Sequence, residues 1–299
     1  MKEYIHIPIM LRECIEALDI KPDGIYVDAT TNRGGHAIAI AKKLNKNGRL
    51  ICIDLDAKAL AEAKERMDEI VCKIDFINDN YSNLEKILAI LNIEKVDGIL
   101  ADLGISSEEL DISGRGFSFQ RDEPLYMTFK DQVDIDDDTL TAEYIVNNWG
   151  EETIAAILWG YADEMYRGRI ARAICEARKV KSIHTTGELV KIIQDIVPKF
   201  YKNKKGSHFA TRTFQALRMA VNDELGGIKN LIASAKKVLK IESRMAIITF
   251  HSTEDRIVKI AIKEQGFNFI NKKPIVPSDS EQKENNRSRS AKLRIISNN

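Results

Sequence analysis

Residues 25–36, Ile-Tyr-Val-Asp-Ala-Thr-Thr-Asn-Arg-Gly-Gly-His, form a short apolar strand pattern that runs directly into a Gly-Gly turn. A second apolar strand pattern, residues 49–54, ends at Asp54. A strand, a glycine turn, a helix, a second strand and a terminal acid, in this order, predict a binding site for a nucleoside cofactor. Gly34 and Gly35 would let the backbone approach the ligand, and Asp54 could accept two hydrogen bonds from a ribose.

The turn alone leaves the cofactor open. NAD and S-adenosylmethionine both present a ribose to an acid at the end of the second strand. The Gly-x-Gly-x-x-Gly pattern is absent here, which weakens the case for NAD. The structural alternative is a tight turn that requires glycine for its geometry alone.

The first hundred residues alternate between helix and strand patterns. Repeated units of this size predict a parallel sheet covered by helices on both faces, a Rossmann-like α/β domain. The predicted strands are residues 25–28, 49–54, 74–77 and 96–102, and the predicted helices are residues 8–20, 35–45, 57–70 and 81–91.

This alternation stops after Leu103 and resumes late in the chain. Helix patterns follow one another up to residue 205, without a convincing strand. We therefore predict an inserted helical domain at residues 110–207, and an α/β domain made of residues 1–109 and 208–299. Two consecutive domains are the alternative, but a sheet of four strands would then keep an unfinished edge. The later predicted elements are helices 151–159, 161–178, 186–197, 210–239 and 253–265, strands 244–250, 267–271 and 291–296, and a polar, mobile segment at 278–289.

Composition and charge exclude several classes of protein. No apolar run approaches the length of a membrane-spanning helix, and the start of the chain lacks a secretory signal pattern. The four cysteines form no Cys-x-x-Cys pair, so we expect buried thiols in a cytoplasmic protein and no metal site. Net charge is zero, but residues 199–218 carry six bases and no acid, while residues 131–138 carry five aspartates and no base. This segregation indicates one face that binds an anion.

Asp102 ends the fourth predicted strand and is followed closely by Gly104. Methyltransferases that act on amines keep an acid or amide at this position. The lone pair of an exocyclic base amine is delocalised into the ring, so a carboxylate that accepts its N–H groups can align the nitrogen for methyl transfer. A turn or helix-capping acid is the alternative.

Three further segments carry candidate RNA contacts. Residues 110–119 place two glycines around Arg115, which is typical of a binding loop or of a plain linker. Residues 199–218 interleave aromatic and basic side chains, a pattern that favours single-stranded RNA over an ordinary solvated loop. Residues 287–294 contain four bases that could contact phosphates or protect a sheet edge. In residues 249–256, Ser252 and Asp255 predict a capping box, and His251 is a candidate positioning residue.

Together, these segments resemble the RsmH (MraW) family. The resemblance covers nearly the whole chain and includes Gly34-Gly-His36, Asp102-Leu-Gly-Ile-Ser-Ser, Ala210-Thr-Arg-Thr-Phe-Gln-Ala-Leu-Arg218 and Asn286-Arg-Ser-Arg-Ser-Ala-Lys-Leu-Arg294. It implies S-adenosylmethionine-dependent methylation of the N4 amine of a decoding-centre cytidine in bacterial small-subunit rRNA. It also implies an inserted helical domain for substrate recognition.

The resemblance and the residue patterns together assign the site. Asp102 is the predicted catalytic residue. The predicted cofactor-binding residues are Gly34, Gly35, His36, Asp54, Tyr81, Asp102 and Glu109. The predicted RNA-binding residues are Arg115, Lys204, Lys205, Arg212, Arg218, Arg287 and Arg289. The expected partner is small-subunit rRNA or the 30S subunit in the cytoplasm, without a membrane, and the sequence leaves open whether the chain forms a homodimer.

Departures from the family pattern suggest a divergent member or a second paralog. Asn32 replaces a glycine of the turn, and Tyr126 and Thr128 stand where the family has an Asp and an Arg. Asparagine is the residue after glycine that best tolerates a positive φ, so the turn could survive. Two alternatives to the active enzyme follow: a catalytically impaired paralog that binds RNA or ribosomes, and a methyltransferase with a shifted RNA target.

Overall fold

The computed structural model describes residues 8–105, 110, 113–130, 135, 136, 138–202 and 208–299. The chain divides into two compact units. The first unit consists of Met1–Gly104 and Leu225–Asn299, and the second of Ile105–Glu224.

The first unit contains a seven-stranded sheet in the order β3-β2-β1-β4-β5-β7-β6. Strands β1 to β5 are parallel to one another, β7 is antiparallel to β5, and β6 is antiparallel to β7. The parallel strands confirm the predicted α/β class. The strands are β1 Ile25–Asp28, β2 Arg49–Asp54, β3 Lys73–Asn78, β4 Val96–Asp102, β5 Leu239–Thr249, β6 Asn268–Phe269 and β7 Lys292–Ser297.

Both faces of this sheet are buried. Successive strand residues point to opposite faces, and they divide between two apolar clusters accordingly. Continuous apolar strands are what a sheet covered on both faces requires. One cluster includes Val27, Ile51 and Ile99, and the other includes Tyr26, Leu50 and Leu100. The helices of this unit are α1 Leu11–Leu18, α2 Gly35–Ala41, α3 Ala57–Arg66, α4 Leu84–Ile90, α11 Glu224–Val238, α12 Ser252–Glu264 and α13 Asp279–Glu284.

The second unit is helical in the part of the chain that the structure describes. Its core is an apolar cluster that includes Leu125, Ile154, Leu158, Ile174 and Leu189. Several of its helices begin at side-chain caps; Thr185, for example, forms a capping box with Glu188. The helices are α5 Ala142–Asn148, α6 Glu151–Ala162, α7 Arg167–Val180, α8 Thr186–Ile196, α9 Lys199–Lys202 and α10 Thr211–Val221.

The first four predicted strands are close to those observed, and three of them have the predicted bounds. The predicted helix 210–239 is wrong, because two helices meet at Asp223, which has a φ of 45° and cannot continue a helix. The first of these, α10, places Phe214 and Leu217 in the core of the second unit. The boundary between the two units therefore lies between residues 224 and 225, whereas the prediction placed it between residues 207 and 208.

The carboxyl-terminal segment also differs from the prediction. Residues 278–289 were expected to be a mobile polar segment, but they form α13 and most of a 3₁₀ helix at Asn286–Ser290. Glu281 Oε1 accepts a hydrogen bond from the backbone N–H of Met10 at 2.7 Å, which attaches α13 to the start of the chain. A contact between residues so distant in sequence leaves no local signal.

A buried ion pair joins β7 to α12. Arg294 Nε donates to Asp255 Oδ1 at 2.6 Å, and both side chains are only 6–7% exposed. Burial alone would raise the pKa of Asp255, but the hydrogen bond and the charge of Arg294 lower it below the usual value. The pKa of Asp255 is about 4 in the unfolded chain and lower in the folded chain, so its ionisation stabilises the folded state above about pH 4. This stabilisation is lost as the pH falls through the folded-state pKa.

We expect Arg294→Met to lower the free energy of unfolding by about 3–5 kcal/mol at pH 7, because it leaves the Asp255 carboxylate buried without its main partner. Urea unfolding measures this loss. The exposed substitution Lys229→Gln is the control, with a change of about 0.5 kcal/mol or less. The loss should shrink at low pH, where Asp255 is protonated. An equal loss at all pH values would contradict the ionic explanation.

Candidate functional site

Three acids end neighbouring strands at one edge of the sheet. Asp28, Asp54 and Asp102 are the last residues of β1, β2 and β4, and β1 lies between the other two. The strand order reverses at this point, because β2 and β3 lie on one side of β1 and β4 and β5 on the other. In open parallel sheets, ligands bind outside the carboxyl ends of the strands at such a switch point.

The turn after β1 is attached to both neighbouring strands. Ala29 donates its backbone N–H to Leu100 O on β4 at 2.8 Å, and Thr31 donates to Ile53 O on β2 at 2.9 Å. Asn32 and Gly34 both have positive φ, 46° and 81°. The structure therefore confirms the left-handed conformation expected at Asn32.

The glycines of the turn are required by packing as well as by conformation. A Cβ at Gly34 would lie 3.2 Å from the Cβ of Ala63 on α3, and a Cβ at Gly35 would lie 3.1 Å from the Cβ of Pro8. These positions allow α2 to begin close to its neighbours. Contact of the two glycines with the cofactor stays a prediction.

Asp54 holds this turn in place. Its Oδ2 accepts the backbone N–H of Asn32 at 2.7 Å, and its Oδ1 accepts that of Asp56 at 2.9 Å. Burial raises its pKa, and the same two hydrogen bonds oppose that rise. Each carboxylate oxygen can accept a second hydrogen bond, so the predicted ribose contact is compatible with this arrangement.

His36 begins α2 beside Asp102. Its Nε2 lies 3.0 Å from Ile9 O, and because a carbonyl only accepts hydrogen bonds, Nε2 carries a proton. Its Nδ1 lies 3.8 Å from Asp102 Oδ2. The backbone N–H of Asp102 donates to Thr30 Oγ1 at 2.7 Å, which fixes the end of β4 against the turn.

Two acids at this edge lack a compensating charge. Asp28 Oδ2 and Asp102 Oδ1 are buried and have no hydrogen-bond partner among the described residues. Burial, followed for each by the charge of nearby acids, raises the pKa of Asp28 to about 7 and that of Asp102 to about 8. A cationic ligand would supply the missing charge, so these residues fit the positively charged methionine end of S-adenosylmethionine.

Tyr81 follows β3 at the same edge. It begins a 3₁₀ turn whose first N–H groups are capped by Asn80, and its ring packs on α11. A Cβ at Gly227 would lie 3.2 Å from the Tyr81 ring, so glycine is needed for this close contact. The structure thus brings together Gly34, Gly35, His36, Asp54, Tyr81 and Asp102, whereas Glu109 lies outside the described residues.

The predicted RNA-binding residues are distributed over both units. In the second unit, Arg115 is buried and donates to Phe129 O at 2.8 Å, and Arg218 forms a two-point ion pair with Glu224 at 2.7 and 2.9 Å. The Arg115 guanidinium therefore holds the backbone at Phe129, and the Arg218 guanidinium holds the side chain of Glu224 at the start of α11. Arg212 donates to Asp163 O at 2.6 Å. Arg287 and Arg289 are exposed in the first unit, and Lys204 and Lys205 lie outside the described residues. Contact of these residues with RNA stays a prediction.

Sequence reasoning missed two features of this edge. Asp28 is absent from the predicted site residues, although its position at a strand end is the same signal that identifies Asp54. The predicted capping box of Ser252 and Asp255 is wrong: His251 and Glu254 form the box at the start of α12, and Asp255 pairs with Arg294. His251 Nδ1 accepts the backbone N–H of Glu254 at 3.2 Å, so His251 has a structural role here.

The described ranges contain neither a metal-binding cluster nor a membrane-spanning helix. No group of three or more His, Cys, Asp or Glu side chains there is arranged to hold a metal ion. No helix within those ranges is long and apolar enough to cross a bilayer. All four cysteines are free and buried, as predicted.

The fold and the site define a Rossmann-like methyltransferase domain that uses S-adenosylmethionine. The chain belongs to the MraW methylase family, whose model matches residues 3–299. This finding confirms the resemblance seen in the sequence.

Curated relatives match over almost their whole length. The chain is 41% identical to ribosomal RNA small subunit methyltransferase H of Clostridioides difficile (strain 630), over 98% of each chain. It is 43% identical to the protein of the same name from Oceanobacillus iheyensis, over 97% of this chain and 94% of that one. Among solved structures, an rRNA methylase from Streptococcus thermophilus aligns at 11% identity and a TM-score of 0.46, over 98% of both chains.

We expect Asn32→Gly to retain S-adenosylmethionine binding and to stabilise the protein by up to about 1 kcal/mol, because glycine adopts a positive φ without strain. Asn32→Val should cost about 1–2 kcal/mol and weaken binding of the cofactor, since a β-branched residue resists this conformation. Thermal unfolding and calorimetric titration measure the two effects.

Asn92 supplies a matched control, because it also has a positive φ, 55°, but follows α4 away from the turn. Asn92→Val should cost similar stability and leave the affinity for the cofactor unchanged. If Asn32→Val binds the cofactor as tightly as the native chain, the turn does not shape the site.

The acids predict an unusual pH dependence. Between about pH 4, where an unfolded Asp titrates, and pH 8, the folded protein binds more protons than the unfolded chain, so its stability falls as the pH rises. Asp102→Asn removes one such group. Without cofactor, this variant should gain stability over the native chain at pH 8 and gain less at pH 5, as measured by urea unfolding.

The control for this comparison is Asp68→Asn, an exposed acid at the end of the α3 region. It should change stability by about 0.5 kcal/mol or less at both pH values. If Asp102→Asn behaves like Asp68→Asn, Asp102 is not a destabilising buried acid.

Proposed function

We propose that this protein is an S-adenosylmethionine-dependent methyltransferase that modifies the N4 amine of a cytidine in small-subunit rRNA. The observation that carries the proposal is the buried, uncompensated carboxyl of Asp102 at the switch point, next to a nucleoside-binding turn. The relatives named ribosomal RNA small subunit methyltransferase H support the choice of substrate.

Each residue at this edge has a role in the proposed reaction. Asp54 binds the ribose of the cofactor, and the Tyr81 ring packs against its adenine. Asp28 and Asp102 balance its positive charge. When bound, S-adenosylmethionine supplies an electrophilic methyl group on a sulfonium.

Asp102 also acts on the acceptor. Its carboxylate accepts an N–H hydrogen bond from the cytidine amine, which holds the nitrogen in line with the methyl group. Methyl transfer gives the nitrogen a positive charge, and one of its protons then leaves. The positive charge of the bound cofactor would favour the ionised form of Asp102, whose pKa burial otherwise raises, so that its carboxylate can take this proton.

The departures from the family pattern are accommodated locally. In the second unit, Met127 is buried beside Tyr126 and Thr128, and its N–H donates to Arg115 O at 2.7 Å. Asn222 Nδ2 donates to Met127 O at 2.7 Å, so this segment is held from two sides. Both substitutions therefore lie in a segment whose backbone is hydrogen-bonded at Met127.

We expect the purified protein to transfer a labelled methyl group from S-adenosylmethionine to small-subunit rRNA or to 30S subunits that lack the modification. Asp102→Asn should reduce transfer by about 10²–10⁴-fold, because the amide cannot take the proton. Its affinity for RNA should stay within about twofold of the native value. Scintillation counting and filter binding measure the two quantities.

Mapping the labelled nucleotide separates the alternatives. Label on a cytidine N4 supports the proposal, and label elsewhere identifies a methyltransferase with a shifted target. Binding of both S-adenosylmethionine and rRNA without transfer would establish the catalytically impaired paralog instead.

A further inference from the structure

A cavity in the first unit lies at the carboxyl end of β5. None of the predicted cofactor-binding residues lines it. Its volume is about 430 Å³, within the range of about 300–1,000 Å³ typical of ligand sites. It is lined by Phe250, His251, Ser252, Val276, Arg289, Ser290, Ala291 and Lys292.

The cavity is next to Asp102 in the sheet. Asp102 pairs in register with Ile248 on β5, and Phe250 follows two residues later. The Phe250 ring also packs directly on the loop after Asp102: a Cβ at Gly104 would lie 3.1 Å from that ring. Gly104 has a φ of 113°, which only glycine adopts readily, so this close contact is built into the backbone.

The charge of the cavity favours an anion. Arg289 is exposed at its rim, and Lys292 Nζ lies 3.7 Å from Asp255, beyond hydrogen-bond distance. Asp255 is already neutralised by Arg294 at 2.6 Å, and Lys259 also lies 3.7 Å from it. Lys292 can therefore turn toward a ligand without leaving Asp255 unpaired.

The other acid near the cavity, Glu254, faces inward. Its side chain is 1% exposed and accepts the backbone N–H of Phe250, while His251 Nε2 lies 2.9 Å from its Oε1. His251 thus separates this carboxylate from the cavity. The residues that line the cavity therefore supply two cations, two hydroxyls, an imidazole, an aromatic ring and two small apolar side chains, but no acid.

The rim that carries Arg289 is fixed before any ligand binds. The 3₁₀ helix Asn286–Ser290 is capped by the Asn285 side chain, which accepts the N–H of Arg287 at 3.1 Å. Ser288 is fully buried and donates its hydroxyl to Asn285 O at 2.8 Å. A preformed rim lowers the entropy lost on binding.

We propose that this cavity binds one phosphodiester of the RNA strand, next to the nucleotide whose base reaches Asp102. Arg289 and Lys292 contact the phosphate, and Phe250 lies against the adjoining ribose or base. This inference rests on the proposed function for the identity of the RNA, and it assigns a subsite within the first unit alone.

Salt dependence of binding tests the subsite without requiring turnover. The full-length protein is titrated with small-subunit rRNA between about 0.05 and 0.2 M KCl, and the slope of log K against log salt falls by roughly 0.7–0.9 for each phosphate contact removed. For Arg289→Gln combined with Lys292→Gln, we expect a slope smaller by about 0.7–0.9, as for the loss of one phosphate, and an affinity reduced about tenfold.

Lys229→Gln combined with Lys263→Gln is the control, because it removes two exposed charges from α11 and α12 outside the cavity. An equal loss in both double variants would overturn the subsite and leave a general charge effect. Unchanged S-adenosylmethionine affinity in the cavity variant shows that it folds. If the double variant does not fold, Arg289→Gln alone, at an exposed position, gives the same comparison.

A second measurement identifies the source of the phosphate. Inorganic phosphate and a cytidine monophosphate are titrated against the native chain and the cavity variant. If the variant loses binding of these small anions while rRNA binding is unchanged, the cavity holds a free anion and the proposal is wrong.

Kinetics and chemical substitution of the RNA locate the contact. The cavity variant should raise KM for rRNA about tenfold while kcat stays unchanged. A neutral methylphosphonate is placed, one position at a time, at each phosphate within three nucleotides of the mapped methylation site. At one position it should weaken RNA binding to the native chain. At that same position it should cause no further loss of binding in the cavity variant. The absence of such a position would overturn the placement of this phosphate subsite beside the nucleotide that is methylated.

The two proposals can fail separately. If the slope of log K against log salt falls in the cavity variant but not in the control variant, and the native chain transfers no methyl group, the subsite is supported and the proposed enzyme activity is contradicted. Normal methyl transfer by the cavity variant, with binding equal to that of the control variant, contradicts the subsite alone.

Discussion

Asp54 accepts hydrogen bonds from the backbone of Asn32 and Asp56. These bonds determine the shape of the sheet edge at which β1, β2 and β4 end. A charged acceptor makes these bonds stronger than ordinary backbone hydrogen bonds. They connect the end of β2 to the turn after β1 and hold Asn32 at a positive φ that a non-glycine residue adopts only at a cost. The start of α2, with Gly34 and His36, follows from this fixed point.

Asp255 and Asp102, two acids of the first unit, differ in whether a cation compensates their charge. The Asp255 side chain in α12 is 7% exposed, and the Asp102 side chain at the end of β4 is 17% exposed, with its Oδ1 fully buried. Asp255 has Arg294 at 2.6 Å, and its pKa is lowered, so it contributes to stability. Asp102 has no such partner, and burial raises its pKa to about 8. Ionisation of Asp102 therefore costs the folded chain stability, whereas ionisation of Asp255 contributes to it.

Much of the α/β unit could be predicted from the sequence, because buried parallel strands are continuous apolar runs bounded by polar residues. The bounds of β1, β2 and β4 follow directly from that pattern. The errors occurred where a local pattern had two compatible structures. Residues 210–239 are helical throughout in composition, and only the conformation of Asp223 divides them into α10 and α11. Residues 278–289 are polar enough to suggest mobility, but Glu281 attaches them to Met10.

The site shows the same division between what is local and what is not. The sequence by itself determined the strand ends, the glycine turn, the acids that follow the strands and the family to which the chain belongs, because each of these is encoded in a few adjacent residues. The tertiary structure decided which acids are compensated and which are not. Asp255 meets Arg294 across 39 positions and Asp102 meets Thr30 across 72. Since electrostatic pairing depends on distance in space and on burial, only the folded chain could distinguish a stabilising aspartate from an uncompensated one.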